Sequence, residues 1–492
     1  MDELIPLSQA TLPQLPETVR RPSYDRARLS PGIVHIGLGN FHRAHQAWYL
    51  HRLMNEGLAQ DWAIIGAGIR PNDAAMRAKL LGQDCLTTLI ELGQDRISAE
   101  IVGAMIDFVE VETGNAALIA RMADPAIRIV SLTVTEGGYF IDSATKAFDR
   151  CHPDIVHDVA HPDTPRTAFG AIVAALRLRR ARGLHPFTCM SCDNLQSNGA
   201  ILRQAVVTLA RLSDPELADW IAAECSFPNA MVDCIVPATG PDEIALAQGF
   251  GIRDAAPVTH EAFRQWVIED KFCAGRPDWA RVGVQFTQDV HGYEAQKLRI
   301  LNAGHQVIGN VAEIMRIGTV AQAMTHPQIN ALFHKVQMTE IVPQVVPVPG
   351  MTPARYVDLI AQRFANPAIH DTIRRVAFDG SSRHPGFVLP SLRDALASGT
   401  PIEGLALAQA FWARMCAGTR EDGSAIAPND PQWSTLTQVA HQARTRPAAW
   451  LEQTQIYGDL GAQSVFRDSF ARWLQLIWAQ GSGAALRAYT GV

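Results

Sequence analysis

Apolar and polar positions along this chain fall into two textures. In the first, short apolar runs end abruptly in polar turns and alternate with helical stretches. GIVHIG (32–37) reads as a buried strand, 38–42 as a turn and about 43–57 as a helix. AIIGAGI (63–69) is a second short strand, ending in Arg70-Pro71-Asn72-Asp73. IRIVSLTVTEGGY (127–139) and PFTCMSCDN (186–194) are β-rich runs with polar ends, and FGAIVAALRLRRARG (169–183) carries a helical pattern between them. The residues before 32 read as an irregular leader. Strands alternating with helices predict an α/β fold with a doubly wound parallel sheet, its chemistry at the strand C-termini.

Beyond about residue 290 the strand series stops. QVIGNVAEIMRIG, TPARYVDLIAQRFA, AIHDTIRRVAFDG and GLALAQAFWARMCAG read as helices, and VPQVVPVPGMTP (342–353) is too proline-rich to be anything but a loop. The predicted division is 1–290 for the sheet domain and 291–492 for a mostly helical one. Two domains also suit 492 residues, more than one core usually supports. A hydrophobic share of 47% and a charged share of 19% are those of a globular enzyme. The net charge of −6 gives no basic footprint for nucleic acid or anionic membrane. No run approaches a membrane span, and MDELIPLSQATLPQLP, acidic and proline-broken, resembles neither a secretory nor a transit peptide. Eight cysteines scattered from Cys85 to Cys416 form no disulfide framework, so a reducing cytoplasm is expected.

Chemistry concentrates in YEAQKLRILNAGH (293–305). Wound as an α-helix at ~100° per residue, it sets Asn302 at ~140°, His305 at ~80° and Glu294 at ~60° from Lys297. Leu298 and Leu301 share that arc, while Arg299 points the other way, to solvent. Polar groups on an apolar face are costly to bury unless something needs them. Alcohol oxidation by hydride transfer needs a base for the hydroxyl proton and donors for the developing oxyanion. Lysine, with a free pKa of about 10.4, becomes a base when burial disfavours its ammonium form. From spacing alone the bland alternative is the stronger: a snorkelling Lys297 beside satisfied core polars.

The turn after the first strand offers a second signal. Gly37 permits a tight turn, and Gly39 lets backbone N–H groups approach a pyrophosphate. The third glycine of the usual G-x-G-x-x-G is absent, His42 taking its place. Asp73, after the second strand, stands where a ribose 2′-hydroxyl is held and favours NAD over NADP, although it also fits a helix cap.

Ordered along nearly the whole chain are GNFHRAHQA (39–47), TVTEGGY (133–139), MSCDNLQSNG (190–199), FPNAMVD (227–233), EDKF-x-x-GRP (269–277), VGVQF (282–286), K-x4-N-x2-H (297–305) and DGSS (379–382). In these pieces the chain resembles the mannitol 2-dehydrogenase family of polyol-specific long-chain dehydrogenases. The resemblance implies a Rossmann-type N-terminal domain, a largely α-helical C-terminal domain and an active site in the cleft between them. It implies Lys297 as general base, Asn194 and Asn302 as the oxyanion-binding pair, and His305 as a substrate contact that tunes the site. Glu294 would gate or relay the proton, and Asp233, Arg375 and Arg383 would line the polyol site. NAD would lie against Gly37, Gly39, Asn40, Phe41, Asp73 and Glu136, with His42 part of the family's own turn. A metal-free, monomeric enzyme with a small polyol or ketose substrate is implied. Three positions depart from the family pattern: Cys234 replaces an arginine, Arg383 a lysine, and Asn72 an acidic residue.

Other readings were weighed against this one. Cys189-Met-Ser-Cys192 sits in a strand, its thiols on opposite faces and without a second C-x-x-C. His42-x-x-His45 has two imidazoles at helical spacing but no carboxylate partner, so a zinc-dependent polyol dehydrogenase is disfavoured. A non-catalytic dinucleotide sensor would lack one of Lys297, Asn194, Asn302 and His305; all four are present. The function expected is NAD-dependent oxidation of a linear polyol to a ketose, D-mannitol to D-fructose first, with D-arabinitol and sorbitol as alternatives.

Overall fold

Five strands build the centre of the N-terminal half: β1 (Pro31–Ile36), β2 (Ala63–Ala67), β3 (Met105–Phe108), β4 (Ile129–Leu132) and β5 (Thr188–Ser191). They lie in the order β3-β2-β1-β4-β5, and every neighbouring pair is parallel. This is the doubly wound arrangement, whose direction of winding reverses between β1 and β4. The strands are apolar on both faces, as a sheet covered on both sides requires. Ile33, Ile64, Ile129 and Met190 face one core, while Val34, Ile36, Val130, Leu132 and Cys189 face the other.

The computed structural model describes residues 4–94, 96–142 and 147–492. The chain divides into two compact units, Met1–His291 and Gly292–Val492.

In the first unit the helix after β1 starts earlier than its pattern predicts and is broken: α1 (Asn40–Ala44) and α2 (Gln46–Asn55) flank His45, whose φ −118° and ψ −92° are not helical. The His45 ring stacks on Phe41, and its Nε2 lies 3.1 Å from the Gln265 carbonyl, contacts that a continuous helix would not give. The leader is not irregular throughout. Ile5–Pro6 pairs with Ile252–Arg253, and Val19–Arg20 pairs with Ala99–Glu100. Further strands, including the antiparallel pair Thr87–Leu92 and Ile97–Val102, form smaller sheets that the sequence reading did not foresee.

The second unit holds no strand among its described residues. Its core surrounds the helix Glu403–Cys416, buried at every position from Gly404 onward. Helices at Ala303–Ile314 and Pro353–Phe364 match their predicted segments, but AIHDTIRRVAFDG is α-helical only over Ile373–Val376. There Thr372 caps the start and Ala377 the end, and Asp379, at φ +57°, precedes the next short helix, Gly380–Arg383. The proline-rich segment from residue 342 contains a 3-10 turn, Val342–Gln344, and a bridge between Val348 and Met351. Three π-helical turns, Lys297–Asn302, Gln337–Ile341 and His384–Val388, interrupt the α pattern. Among the described residues no helix is long and apolar enough to cross a membrane.

Candidate functional site

The turn leaving β1 shows two different uses of glycine. Gly37 has φ +96°, and a Cβ there would drive into the Thr133 carbonyl, so only glycine fits. Gly39 has an ordinary φ of −76°, and a Cβ there would meet nothing within 4 Å. Neither backbone nor packing demands glycine at 39, and its open side leaves room beside the turn. The N–H groups of Leu38 and Gly39 make no hydrogen bond among the described residues. The Asn40 side chain is engaged within the protein, its amide donating to the Pro237 carbonyl (2.8 Å) and Thr239 Oγ1 (2.9 Å), and its Oδ1 accepting from Arg43. Phe41 stacks on His45 at 4.7 Å.

After β2, Asp73 opens α3 (Asp73–Leu81). Its Oδ2 accepts from the N–H groups of Ile69 (2.8 Å) and Arg70 (2.9 Å), so it ties the strand-to-helix turn. Oδ1 makes no hydrogen bond among the described residues, which leaves an acceptor for a ribose hydroxyl. Structural and cofactor roles are therefore compatible in one carboxylate. Glu136 lies exposed in the 3-10 turn after β4, and Asn194 lies exposed just after β5. Gly37, Gly39, Asp73, Glu136 and Asn194 thus all follow the C-terminal ends of strands in one sheet, where ligands of this fold bind. Asp233, buried, ends the strand Ala230–Asp233 of a separate sheet.

Sequence reasoning passed over Asp193. This buried carboxylate accepts from the N–H groups of Val134 (3.0 Å) and Thr135 (2.9 Å) and from the Tyr139 hydroxyl (2.8 Å). Burial pushes its pKa up to about 6, against the pull of those three donors. It links the loop bearing Glu136 to the loop bearing Asn194 and holds Thr135 at a strained φ of +68°. The available signal was the adjacency Asp193-Asn194 at a strand end, where two polar residues leave the core together.

Cys189 and Cys192 belong to opposite cores, and His42 stacks on His35 at 3.4 Å. Among the described residues no group of three His, Cys, Asp or Glu side chains is placed to hold a metal ion.

In the second unit Glu294, Lys297, Asn302 and His305 share one continuous helical stretch and are 4%, 8%, 9% and 9% exposed. The α-helical geometry assumed for them is corrected by the π turn Lys297–Asn302, in which Ala303 N–H reaches the Leu298 carbonyl five residues back. An i→i+5 turn brings residues five apart onto one face, so Asn302 lies on the side of Lys297 rather than ~140° away. The Ile300 carbonyl in this turn accepts from Gln337 Nε2 at 2.9 Å, and Gln337 itself belongs to the second π turn. Gly304 lets the two segments approach, since a Cβ there would lie 2.8 Å from the Phe333 ring and 3.1 Å from Gln337. Arg299 is not left to solvent either. It donates to the Gln344 carbonyl (3.0 Å) and to Asp394 (2.5 Å), because a further helix packs on that side.

His305 stacks on Phe364 at 4.2 Å, and its Nε2 lies 3.9 Å from Asp371 without a hydrogen bond. Burial lowers its pKa to about 3, so the ring is neutral at physiological pH. Asp371, a second residue missed in the sequence, grips Arg375 with both oxygens, accepting from Nε at 2.6 Å and Nη2 at 2.5 Å. Arg383 donates to the Arg375 and Val376 carbonyls (3.0 and 2.9 Å), and Gln306, next to His305, donates to the same Val376 carbonyl (2.8 Å). The structure therefore brings His305, Arg375 and Arg383 into one network around Asp371.

Comparison with known proteins meets this geometry. The Rossmann domain of mannitol dehydrogenase matches residues 31–281, and the mannitol dehydrogenase C-terminal domain matches 289–478. A mannitol 2-dehydrogenase of Cereibacter sphaeroides is 57% identical over 472 residues, covering 96% of this chain and 99% of its own. One from Pyricularia oryzae is 40% identical over 91% of this chain and 90% of its own. Among solved structures, the Pseudomonas fluorescens mannitol 2-dehydrogenase ternary complex with NAD and D-mannitol has a TM-score of 0.89 at 40% identity, covering 98% of this chain and 99% of its own. A substrate-free D-sorbitol dehydrogenase has the same TM-score at 33% identity, covering 98% of this chain and 100% of its own. With both halves of the chain matched and a relative this close, the protein belongs to the mannitol dehydrogenase family.

Proposed function

We propose that this chain is an NAD-dependent polyol dehydrogenase that reversibly oxidises a linear polyol to a ketose, D-mannitol to D-fructose first, with no metal. The observation that carries the reading is a buried π turn that brings Asn302 onto the side of Lys297, in a chain whose relatives are mannitol 2-dehydrogenases. NAD⁺ fits the residues present: the open side of Gly39, the unbonded N–H groups of Leu38 and Gly39, and the second oxygen of Asp73 form an acceptable cradle. When bound, the nicotinamide accepts the hydride from the carbinol carbon. Lys297, neutral in the productive form, takes the hydroxyl proton, and Glu294 passes it to water. Asn194 and Asn302 donate amide N–H groups to the oxygen as it gains charge. His305, kept neutral by burial, acts on the substrate as a hydrogen-bonding ring, not as a cation. Asp233, Arg375 and Arg383 hold the distal hydroxyls, with Arg375 oriented by Asp371.

The test is a panel of five- and six-carbon alditols offered with NAD⁺ and NADP⁺, followed by NAD(P)H absorbance. Mannitol with NAD⁺ is expected to give the highest kcat/KM. Faster turnover of arabinitol or sorbitol reassigns the substrate, the latter being the substrate named for the 33%-identical structure. Nucleotide binding without turnover of any polyol leaves a sensor, and loss of activity on dialysis against a strong chelator restores the metal alternative.

A further inference from the structure

Beneath the proposed cofactor turn lies a buried chain of polar groups that the reaction itself does not use. His35 on β1 and Ser131 on β4 are ladder partners, and both are wholly buried. His35 Nδ1 lies 2.7 Å from Ser131 Oγ, and Ser131 Oγ lies 2.9 Å from Gln46 Oε1, which is placed as its acceptor. On the other side of the ring, His35 Nε2 lies 3.1 Å from the Gly37 carbonyl and 2.9 Å from Thr133 Oγ1. The Thr133 hydroxyl donates to that same carbonyl at 2.5 Å.

The proton positions follow from what each group can do. A carbonyl oxygen only accepts, so the nitrogen facing Gly37 must carry hydrogen. Burial holds the imidazole neutral, its pKa down at about 3, so Nδ1 carries none and accepts from Ser131. Ser131 has then given away its proton, so the Gln46 amide, placed with Oε1 toward that hydroxyl, is turned end for end to present its NH2. That orientation of Gln46 also satisfies a buried amide donor which otherwise has no partner.

We infer that His35, protonated on Nε2, is a positioning residue that with Thr133 clamps the Gly37 carbonyl and so aims the Leu38 N–H at the pyrophosphate of NAD. In a trans peptide the C=O and N–H of one plane point in opposite directions. A carbonyl drawn down toward His35 and Thr133 therefore turns the Leu38 N–H up, toward the open side beside Gly39. The clamp spans β1 and β4, where the sheet reverses its winding, and it fixes the one peptide that the positive φ of Gly37 leaves most free to rotate. This inference rests on the cofactor placement proposed above.

Three variants and one spectrum test it. His35→Phe fills the space without a donor, His35→Gln returns an N–H near Nε2, and Thr133→Val removes the second donor at nearly constant volume. NAD⁺ Kd and KM are expected to rise about tenfold in His35→Phe, the loss of roughly one well-placed hydrogen bond. The rise should be smaller in Thr133→Val and largely reversed in His35→Gln, with kcat at saturating NAD⁺ and the polyol KM within about twofold of wild type. Unchanged NAD⁺ affinity in soluble, folded His35→Phe overturns the clamp, as does a fall in kcat without a change in KM. Should His35→Phe fail to fold, Thr133→Val and the nitrogen-15 imidazole spectrum of the wild type decide. The His35 signals, identified by their loss in His35→Gln, must show hydrogen on Nε2 alone, and hydrogen on Nδ1 overturns the assignment. Gly39→Val separates this inference from its premise by crowding the open side of the turn without touching His35. If it abolishes NAD⁺ binding while His35→Phe does not weaken it, the clamp alone falls. If it too leaves NAD⁺ binding intact, the cofactor placement falls with it.

Discussion

The turn after β1 and the helical stretch from His291 to Ile314 both put polar side chains against an apolar core, and they meet the cost by different means. Below Gly37 the His35 imidazole, two hydroxyls and a backbone carbonyl satisfy one another at 2.5 to 3.1 Å, while the His42 ring stacked on that imidazole keeps both nitrogens without a hydrogen-bond partner among the described residues. Along the helix the order comes from packing and from backbone register: a π turn brings Asn302 onto the side of Lys297, Gly304 admits Phe333, and Phe364 covers the His305 ring. His305 Nε2 keeps no hydrogen-bond partner there. Around His305 the rigidity comes from apolar neighbours, and the ring keeps hydrogen-bonding capacity in reserve.

Removing the proton acceptor should produce the largest effect. Lys297→Ala is expected to lower kcat/KM for polyol oxidation by at least ~10²-fold, the low end for loss of a general base, while NADH binding stays within error of wild type. In the wild type, oxidation should rise toward alkaline pH as Lys297 loses its proton, and ketose reduction should be favoured on the acidic side. Steady-state kinetics over pH, paired with fluorescence titration of NADH, checks both halves. Near-wild-type oxidation by the variant removes Lys297 from the role of base, and a parallel loss of NADH binding shows that the two regions are not as separable as their construction suggests.

A smaller effect should follow from disturbing the packing that sets the π register. The Cβ of Gly304→Ala would lie 2.8 Å from the Phe333 ring and 3.1 Å from Gln337, the residue that bonds to the Ile300 carbonyl in the π turn. Overpacking of this kind costs about 1–3 kcal/mol, of which the better helix propensity of alanine returns at most ~1. Urea unfolding should therefore show reduced stability, and kcat should fall with the NAD⁺ KM unchanged. Wild-type stability with wild-type kcat would mean that the register does not depend on this contact.

How far these regions were legible in the sequence differs in the same way. The β1 turn was readable because a short apolar run broken by Gly-x-Gly has few other local solutions, and β2, β4 and β5 announced themselves by apolar runs with polar ends. The break at His45 was not, since it depends on Phe41 and on the distant Gln265 carbonyl. The π turn was invisible for a stronger reason: KLRILN has ordinary α-forming residues, and the fifth-residue register is imposed by tertiary partners such as Gln337. Arg299 was expected in solvent because the helix that packs on its side, Leu389–Ser398, lies far away in the sequence. His35 passed unremarked within an apolar strand, and its meaning required knowing that Ser131 would be its ladder partner. Asp371 and Asp193 were overlooked because each acts through a neighbour, Arg375 in one case and the loops around Asn194 in the other.

The smallest expected effect lies at the cofactor end, and it needs the milder of two substitutions. Asp73→Ala would remove both the charge that repels a 2′-phosphate and the oxygen that holds the N–H groups of Ile69 and Arg70, so lost NAD⁺ affinity and altered preference would be mixed. Asp73→Asn keeps a carbonyl oxygen for those two donors and discards only the charge. A unit charge a few ångströms from a phosphate near the surface is worth about 1–4 kcal/mol, depending on the local dielectric. Taking the solvent-screened end, the ratio of kcat/KM for NADP⁺ to that for NAD⁺ should rise about fivefold, with thermal stability unchanged. The uncharged Asn72 beside it means that no second carboxylate at that position masks the change. An unchanged ratio in Asp73→Asn would show that this carboxylate serves the turn alone, and would put the adenosine ribose somewhere else along the sheet.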